Sequence, residues 1–139
     1  MKELSFGSGL VTYLVNGKRE VSFNPTDSSF IEQLHSSFDE LDKKQECYKE
    51  RIAKMKENKE IFTVARELDG EMRVILDGIL GEGFCDDVFG AMNVYALADG
   101  LPAWANLLLA IMDEVDVSFA NQQKQSNDKI QKYVKKYKR

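Results

Sequence analysis

Residues 101–119, LPAWANLLLAIMDEVDVSF, form the most apolar run of the chain. Drawn as a helix, the run has one apolar stripe and a second that adjoins it: Leu101, Ala105, Leu108, Met112, Val115 and Phe119, then Trp104, Leu107 and Ile111. A helix that is apolar on more than one face is buried by several neighbours. Pro102 fits the first helical turn, where a missing N–H costs nothing. The run therefore predicts a buried central helix that begins near Leu101.

Acidic residues exclude a membrane span here. Asp113, Glu114 and Asp116 cut the run short of the roughly 20 apolar residues that a span needs. The N-terminus also lacks the charged and then apolar segments of a secretory leader. We expect a cytoplasmic protein with no membrane partner.

The composition of the chain indicates one soluble globular domain. Its 139 residues are 43% hydrophobic and 30% charged. Cys47 and Cys85 show no CxxC spacing, and His35 is the single histidine, so these residues do not make a convincing zinc site. We expect reduced thiols and no bound metal.

The charge of the chain is unevenly distributed. Residues 124–139 hold seven Lys or Arg and one Asp, a charge of +6, which leaves −10 of the total of −4 for residues 1–123. An acidic body with a short basic end does not resemble a nucleic-acid-binding domain, whose basic surface would dominate. We therefore predict a single domain over residues 1–123, a basic helical tail over residues 124–139, and no nucleic-acid partner.

Residues 4–23 read as β structure. Residues 10–15 are rich in β-formers, and residues 19–23 alternate between apolar and polar. Asn16-Gly17 lies between them and is a strong hairpin signal, because both residues tolerate positive φ.

The register of this hairpin stays open. A two-residue turn would pair Leu10 with Phe23, whereas a four-residue loop would pair Thr12 with Phe23. An earlier short strand is expected at residues 4–6, before the bend that Gly7 and Gly9 allow.

Residues 30–55 carry a heptad pattern after an N-cap at Asp27, Thr26 or Ser28. The two series are Ile31, Phe38, Gln45 and Ile52, and Leu34, Leu41, Tyr48 and Met55. More than three heptads with one polar interruption predict a long helix in a coiled-coil-like pairing. Its partner is either the chain's own domain or another chain, and the pattern leaves both open.

The polar residues 56–60 predict a break before a second helix over residues 59–80, which Gly81 ends. Its expected buried residues are Ile61, Ala65, Leu68, Met72, Ile75 and Ile79. Short helical segments follow at residues 84–89, closed by Gly90, and at residues 93–98, closed by Gly100. The final helix is expected to persist to Tyr137.

The sequence offers no catalytic or cofactor-binding motif. It lacks GxxxxGK[ST], GxGxxG and HExxH. His35 has no evident partner acid, and Asp86 and Asp87 next to Cys85 oppose formation of a thiolate. We assign no catalytic, cofactor-binding or metal-binding residues and expect a protein that is not an enzyme.

One long segment resembles known proteins. Residues 84–116, FCDDVFGAMNVYALADGLPAWANLLLAIMDEVD, are similar to small proteins encoded in bacteriophage and prophage structural modules of low-GC Gram-positive bacteria. The strings FNPTDSSFIEQL, DKKQ and ARELDGEMR fit the same resemblance. It implies a tail assembly chaperone or a minor structural protein in the bacterial host cell, and it carries no catalytic motif.

Taken together, these features predict a mostly α fold: a helical domain with a long heptad-patterned helix, a buried central helix and an N-terminal β-hairpin. We expect a phage or prophage protein that binds phage tail proteins and self-associates. The candidate protein-interaction residues are Ile31, Leu34, Phe38, Leu41, Tyr48, Ile52, Met55, Ile130, Tyr133 and Tyr137. The alternative is a small regulatory factor or enzyme with a pocket near Trp104, Tyr95 and Cys85.

Overall fold

The computed structural model describes residues 1–137, except for the side chains of Tyr133, Val134, Lys136 and Tyr137. It confirms the mostly α fold, with four helices in this range and an N-terminal antiparallel hairpin. The elements in chain order are β1 (Val11–Val15), β2 (Arg19–Phe23), α1 (Ser28–Ala53), α2 (Asn58–Leu80), α3 (Phe84–Phe89), β3 (Leu97–Ala98), β4 (Leu101–Pro102) and α4 (Ala103–Tyr137).

The hairpin adopts neither of the two expected registers. Val11 pairs with Phe23, so the loop between the strands has three residues. Asn16 and Gly17 have φ of 50° and 70°, and the Lys18 N–H donates to the Val15 carbonyl at 3.0 Å. A tight turn therefore forms at Asn16-Gly17, as the sequence predicts. Lys18 remains unpaired between this turn and the first strand pair, Val15 and Arg19, and so shifts the register by one residue. The prediction of a short strand at residues 4–6 is wrong, because residues 1–10 form no strand.

The heptad stripe of α1 lies in the chain's own core. Asp27 caps the helix by accepting a hydrogen bond from the Ser29 N–H at 3.0 Å, as expected. Leu34 and Leu41 are 0% exposed. Tyr48 is buried, Phe38, Ile52 and Met55 pack partly buried against the core, and Ile31 is half-buried.

One partner of that stripe is α2, which runs back antiparallel along α1: Gln33 donates to the Gly78 carbonyl, Tyr48 to Glu71, and Arg51 pairs with Glu67. The other partner is α4, whose Trp104 ring meets Phe38 edge to face at 5.1 Å between centroids. The structure therefore corrects the expectation that these residues form an interface between chains. Contacts within the chain bury Leu34, Leu41 and Tyr48. These side chains are therefore not available to form an interface between folded copies.

The break before α2 is confirmed, but its buried face is rotated from the expected one. Leu68 and Met72 are buried as expected, together with Val64, Leu76 and Leu80. The other expected core residues, Ile61, Ala65, Ile75 and Ile79, are only half-buried. The rotation follows from the contacts of α2, which packs on α1 along one side and on α3 along another. Gly81, with φ of 116°, ends the helix.

The segment between α2 and α4 contains one expected helix and one unexpected hairpin. α3 forms where expected and is closed by Gly90. Residues 93–98 are not helical: β3 pairs with β4 across Asp99-Gly100, whose φ angles are 54° and 81°. Both residues accept positive φ, so a two-residue turn is favoured over a helical one. Leu101 and Pro102 therefore belong to a strand, and the last helix begins at Ala103.

The buried part of α4 is its first half. Trp104, Ala105, Leu108, Ile111 and Val115 are buried, as expected of the central helix. Phe119 is 49% exposed, and almost every described side chain after Val115 is exposed. Residues 116–137, named the α4 arm from here on, extend about 33 Å beyond the core at 1.5 Å per residue. The expected domain boundary at residues 123 and 124 lies inside this continuous helix.

None of the helices in residues 1–137 combines the length and the apolar content that a membrane crossing requires.

Candidate functional site

An apolar groove of about 640 Å³ opens between the first hairpin, α3 and the first half of α4. Its floor is made of buried core side chains: Val21, Phe23, Leu80, Val88 and Ile111. Its rim holds Met92, which is 49% exposed, and the exposed Ala110 of α4. Most of its surface is therefore apolar and reachable from solvent.

The hairpin supplies one wall because its side chains alternate between two faces. Tyr13 is paired with Val21 in the ladder, and both line the groove together with Phe23. The Phe23 ring stacks on Tyr13 at 4.8 Å and on Phe30 of α1 at 4.3 Å between centroids. This row of three rings joins the hairpin to the helical body, which a two-stranded hairpin needs for stability in water.

Two basic residues hold the hairpin against α3. Arg19 Nη1 lies 2.5 Å from an Asp87 carboxylate oxygen, and its Nη2 donates to the Glu82 carbonyl at 2.9 Å. Lys18 Nζ donates to the Val88 carbonyl at 3.4 Å. The hairpin and α3 thus form a braced corner, and the groove lies in the angle between them.

The second wall is held in place by Arg73 of α2. Its guanidinium contacts Asp69 and Asp86, both at 2.9 Å, and donates to the carbonyls of Gly90 and Met92 at 2.7 and 2.8 Å. Asp69 also accepts a hydrogen bond from the Val94 N–H at 2.7 Å. This cluster fixes the chain on both sides of Met92, and so it positions the rim of the groove.

The groove is lined mostly by apolar side chains. Its polar side chains are few: Tyr13, Asn16, Lys18, Asn106 and Glu114. Lys18 and Asn106 already donate to backbone carbonyls. The lining contains no His, Cys, Ser or Thr. Apolar walls with a few polar groups suit an apolar side chain or segment.

The prediction of a pocket near Trp104, Tyr95 and Cys85 is wrong. Trp104 and Cys85 lie in the core, and Tyr95 packs partly buried against it. Trp104 is 2% exposed, and its Nε1 donates to Gln45 Oε1 at 2.6 Å. The Tyr95 hydroxyl donates to the Ala65 carbonyl at 3.4 Å, and Cys85 is 1% exposed. None of the three lines the groove.

Among the side chains that the structure describes, three titratable groups have shifted pKa values, and each shift favours the neutral form. Burial raises the pKa of the Cys85 thiol, and the nearby Asp77 raises it further. Burial likewise raises the pKa of Tyr95. The hydrogen bond to Glu71, with burial, raises the pKa of Tyr48 to about 12. These directions fit structural roles, since a reactive thiol requires a lowered pKa.

The two cysteines are expected to differ sharply towards a thiol reagent. Cys47 is exposed and free, whereas Cys85 is buried with a raised pKa. One equivalent should react rapidly in the native protein, and the second only at the rate at which the protein opens. Ellman titration with and without denaturant measures both, and Cys47→Ser is the control that should remove the fast phase. Two fast equivalents in the native protein would show that Cys85 is reachable.

The groove was not expected from the sequence. The predicted interaction residues lie on α1 and on the basic end of α4, whereas the groove uses Tyr13 of β1, Val88 of α3 and Leu107 in the first half of α4. The local signal for its hairpin wall is the alternation that places Val21 and Phe23 on one side. Nothing local links that wall to α3 or α4.

Further apolar side chains lie exposed at the two ends of the chain. Leu4 and Phe6 in the N-terminal segment are 85% and 80% exposed. On the α4 arm, Val117, Phe119 and Ile130 are 53%, 49% and 56% exposed. The other two candidate residues of the basic end, Tyr133 and Tyr137, lie outside the described side chains.

Within residues 1–137, no group of three or more His, Cys, Asp or Glu side chains is arranged to hold a metal ion. No family model, curated protein or solved structure matches the chain.

Proposed function

We propose that this protein is a non-enzymatic protein-binding module whose groove receives an apolar segment of a partner chain. The observation that supports the proposal best is the solvent-open apolar surface around Met92 and Ala110, held between braced elements. Apolar surface of this kind on a small domain marks a binding site more often than chance exposure. Methionine at the rim favours binding of segments that differ in shape, because its side chain adapts.

The biological setting that we propose is phage or prophage tail assembly, in the cytoplasm of the bacterial host. Support comes from the resemblance of residues 84–116 to proteins of phage structural modules. Those residues include α3, the rim residue Met92 and the groove-lining part of α4. A chaperone-like or minor structural protein would use such a groove to hold apolar parts of tail proteins before they assemble.

The test is binding of tail proteins encoded beside this gene, with the groove rim altered. We expect the double variant Met92→Glu, Ala110→Glu to weaken capture of the tape-measure or tail-tube protein at least tenfold. Both side chains are exposed, so the fold should be retained. Phe62→Glu is the matched control, since Phe62 is 60% exposed on α2 and does not line the groove.

Isothermal titration with each purified tail protein gives the affinities. Equal binding by the wild type and the double variant would show that the groove is not the binding site. If neither neighbouring protein binds the wild type, the tail-assembly setting is wrong.

A further inference from the structure

We propose that the N-terminal segment, residues 1–10, of a second copy of this chain occupies the groove until a tail protein displaces it. The inference rests on the proposed function, because it takes the groove to be a site for apolar segments. It adds a named occupant and a form of regulation, since each copy shields the binding surface of another.

The first support is the exposure of the segment. Every one of residues 1–10 is exposed. Leu4 and Phe6 are 85% and 80% exposed, and apart from Met1 no large apolar side chain that the structure describes is more exposed. The Asn24 side chain donates to the Ser8 carbonyl at 3.0 Å, so the segment is tied to the hairpin at its root. Leu4 and Phe6 therefore lie outside their own groove and are available to a second copy.

The second support is the alternation of residue types along the segment. Lys2, Leu4 and Phe6 alternate with Glu3 and Ser5, so they share one side of the chain when it is extended. That side presents one basic and two apolar groups over about 13 Å, at 3.3 Å per residue. A segment of this pattern fits an apolar groove that has an acidic group towards one end.

The α4 wall of the groove has the matching pattern. Leu107, Ala110 and Glu114 line the groove and follow one side of the helix at spacings of three and four. They cover about 10 Å along the helix axis, at 1.5 Å per residue. Among the described residues, the Glu114 carboxylate takes part in no ion pair. An extended segment can thus place Lys2 beside Glu114 while Leu4 and Phe6 cover the apolar wall.

A second copy supplies this occupant in the simplest way. Each chain carries both the segment and the groove, so two chains can exchange segments and close as a pair, which is a low-cost route to a dimer. The contact involves few residues, and small interfaces are typical of transient complexes. A weak dimer is what the regulation requires, because the tail protein must be able to displace the segment.

Serine substitutions in the segment test self-association. In sedimentation equilibrium, the full-length variant Leu4→Ser, Phe6→Ser should raise the dissociation constant of the dimer at least tenfold, because it removes both apolar groups that enter the groove. Phe62→Ser, Val74→Ser is the matched control, since these side chains are 60% and 73% exposed on α2 and do not line the groove. The control should leave the dissociation constant within about twofold.

Charge exchange tests the register within the groove. Lys2→Glu alone and Glu114→Lys alone should each raise the dissociation constant about threefold, as expected for an exposed ion pair. The variant that carries both changes should recover the dissociation constant of the wild type, because it restores the pair with its signs exchanged. Failure of this recovery would contradict the placement of Lys2 beside Glu114.

A synthetic peptide of residues 1–10 locates the site. It should bind the full-length Leu4→Ser, Phe6→Ser variant in isothermal titration, because the groove of that variant is open. Adding Met92→Glu, Ala110→Glu to the variant should weaken peptide binding at least tenfold. Peptide binding that these groove changes leave unaltered would overturn the proposal.

A wild type that stays monomeric at its highest soluble concentration would also overturn the proposal. This outcome includes the case in which the segment closes its own groove, since the serine variant would then bind the peptide without any change in mass. The two proposals can fail separately. The dimer can form when no tail protein binds the groove, and tail proteins can bind the groove of a chain that never pairs.

Discussion

Arg73→Ala is expected to lower the free energy of unfolding by about 3 kcal/mol, near the lower end for breaking a buried ion pair by removing one partner. The Arg73 side chain is 16% exposed, and that of its partner Asp69 is 20% exposed. Without the guanidinium, the Val94 N–H is the one hydrogen-bond partner left to Asp69 within the described part of the chain, and its charge is left partly desolvated. The loss of the carboxylate's counter-charge is thus the largest part of the expected effect.

The backbone on both sides of Met92 contributes the rest. Arg73 donates to the carbonyls of Gly90 and Met92, and a planar guanidinium can serve these and two carboxylates at once. Arg73→Lys keeps the charge but cannot reproduce this geometry, so we expect an intermediate loss. Because Met92 forms the groove rim, both variants should also weaken binding in the groove.

Chemical denaturation monitored by circular dichroism measures the difference. Arg66→Ala is the matched control: Arg66 lies on the same helix, is exposed, and reaches only the Thr63 hydroxyl at 3.5 Å. It should change the free energy of unfolding by no more than about 0.5 kcal/mol. An Arg73→Ala protein as stable as this control would show that the cluster around Arg73 does not hold the segment.

The sequence predicted those features that depend on neighbouring residues. Asp27 caps α1, Gly81 ends α2 and Gly90 closes α3 because each acts on backbone groups within a few positions. The turn at Asn16-Gly17 formed for the same reason. Local side-chain chemistry was therefore sufficient for the element order and for most boundaries.

Features that depend on contacts between distant elements were missed or misplaced. The rotated face of α2 results from packing on α1 and α3 together. Residues 93–98 do not form the predicted helix because Asp99-Gly100 favours a tight turn, and because the Val94 N–H donates a hydrogen bond to Asp69, 25 residues earlier. The groove arises where the hairpin, α3 and α4 meet, and its polar braces join residues 63 to 70 positions apart. A single sequence does not show which of these distant residues meet.

Leu41→Ala is expected to lower the free energy of unfolding by about 3 kcal/mol, a loss typical of a leucine truncated in a packed core. Leu41 is 0% exposed in the layer between α1 and α2. The truncation removes apolar contacts, and the surrounding side chains can only partly fill the space. Leu97→Ala is the matched control, because Leu97 is 75% exposed and should lose less than about 1 kcal/mol.

The dependence on protein concentration separates the two partners that the heptad pattern of α1 left open. If Leu41 packs inside its own chain, the difference in unfolding free energy between the wild type and Leu41→Ala is the same at every protein concentration. Were Leu41 part of a seam between chains, that difference would grow with concentration, since association stabilises the folded state by mass action. A Leu41→Ala protein that is as stable as the wild type when dilute, but fails to associate when concentrated, would show that the heptad residues of α1 form an interface between chains.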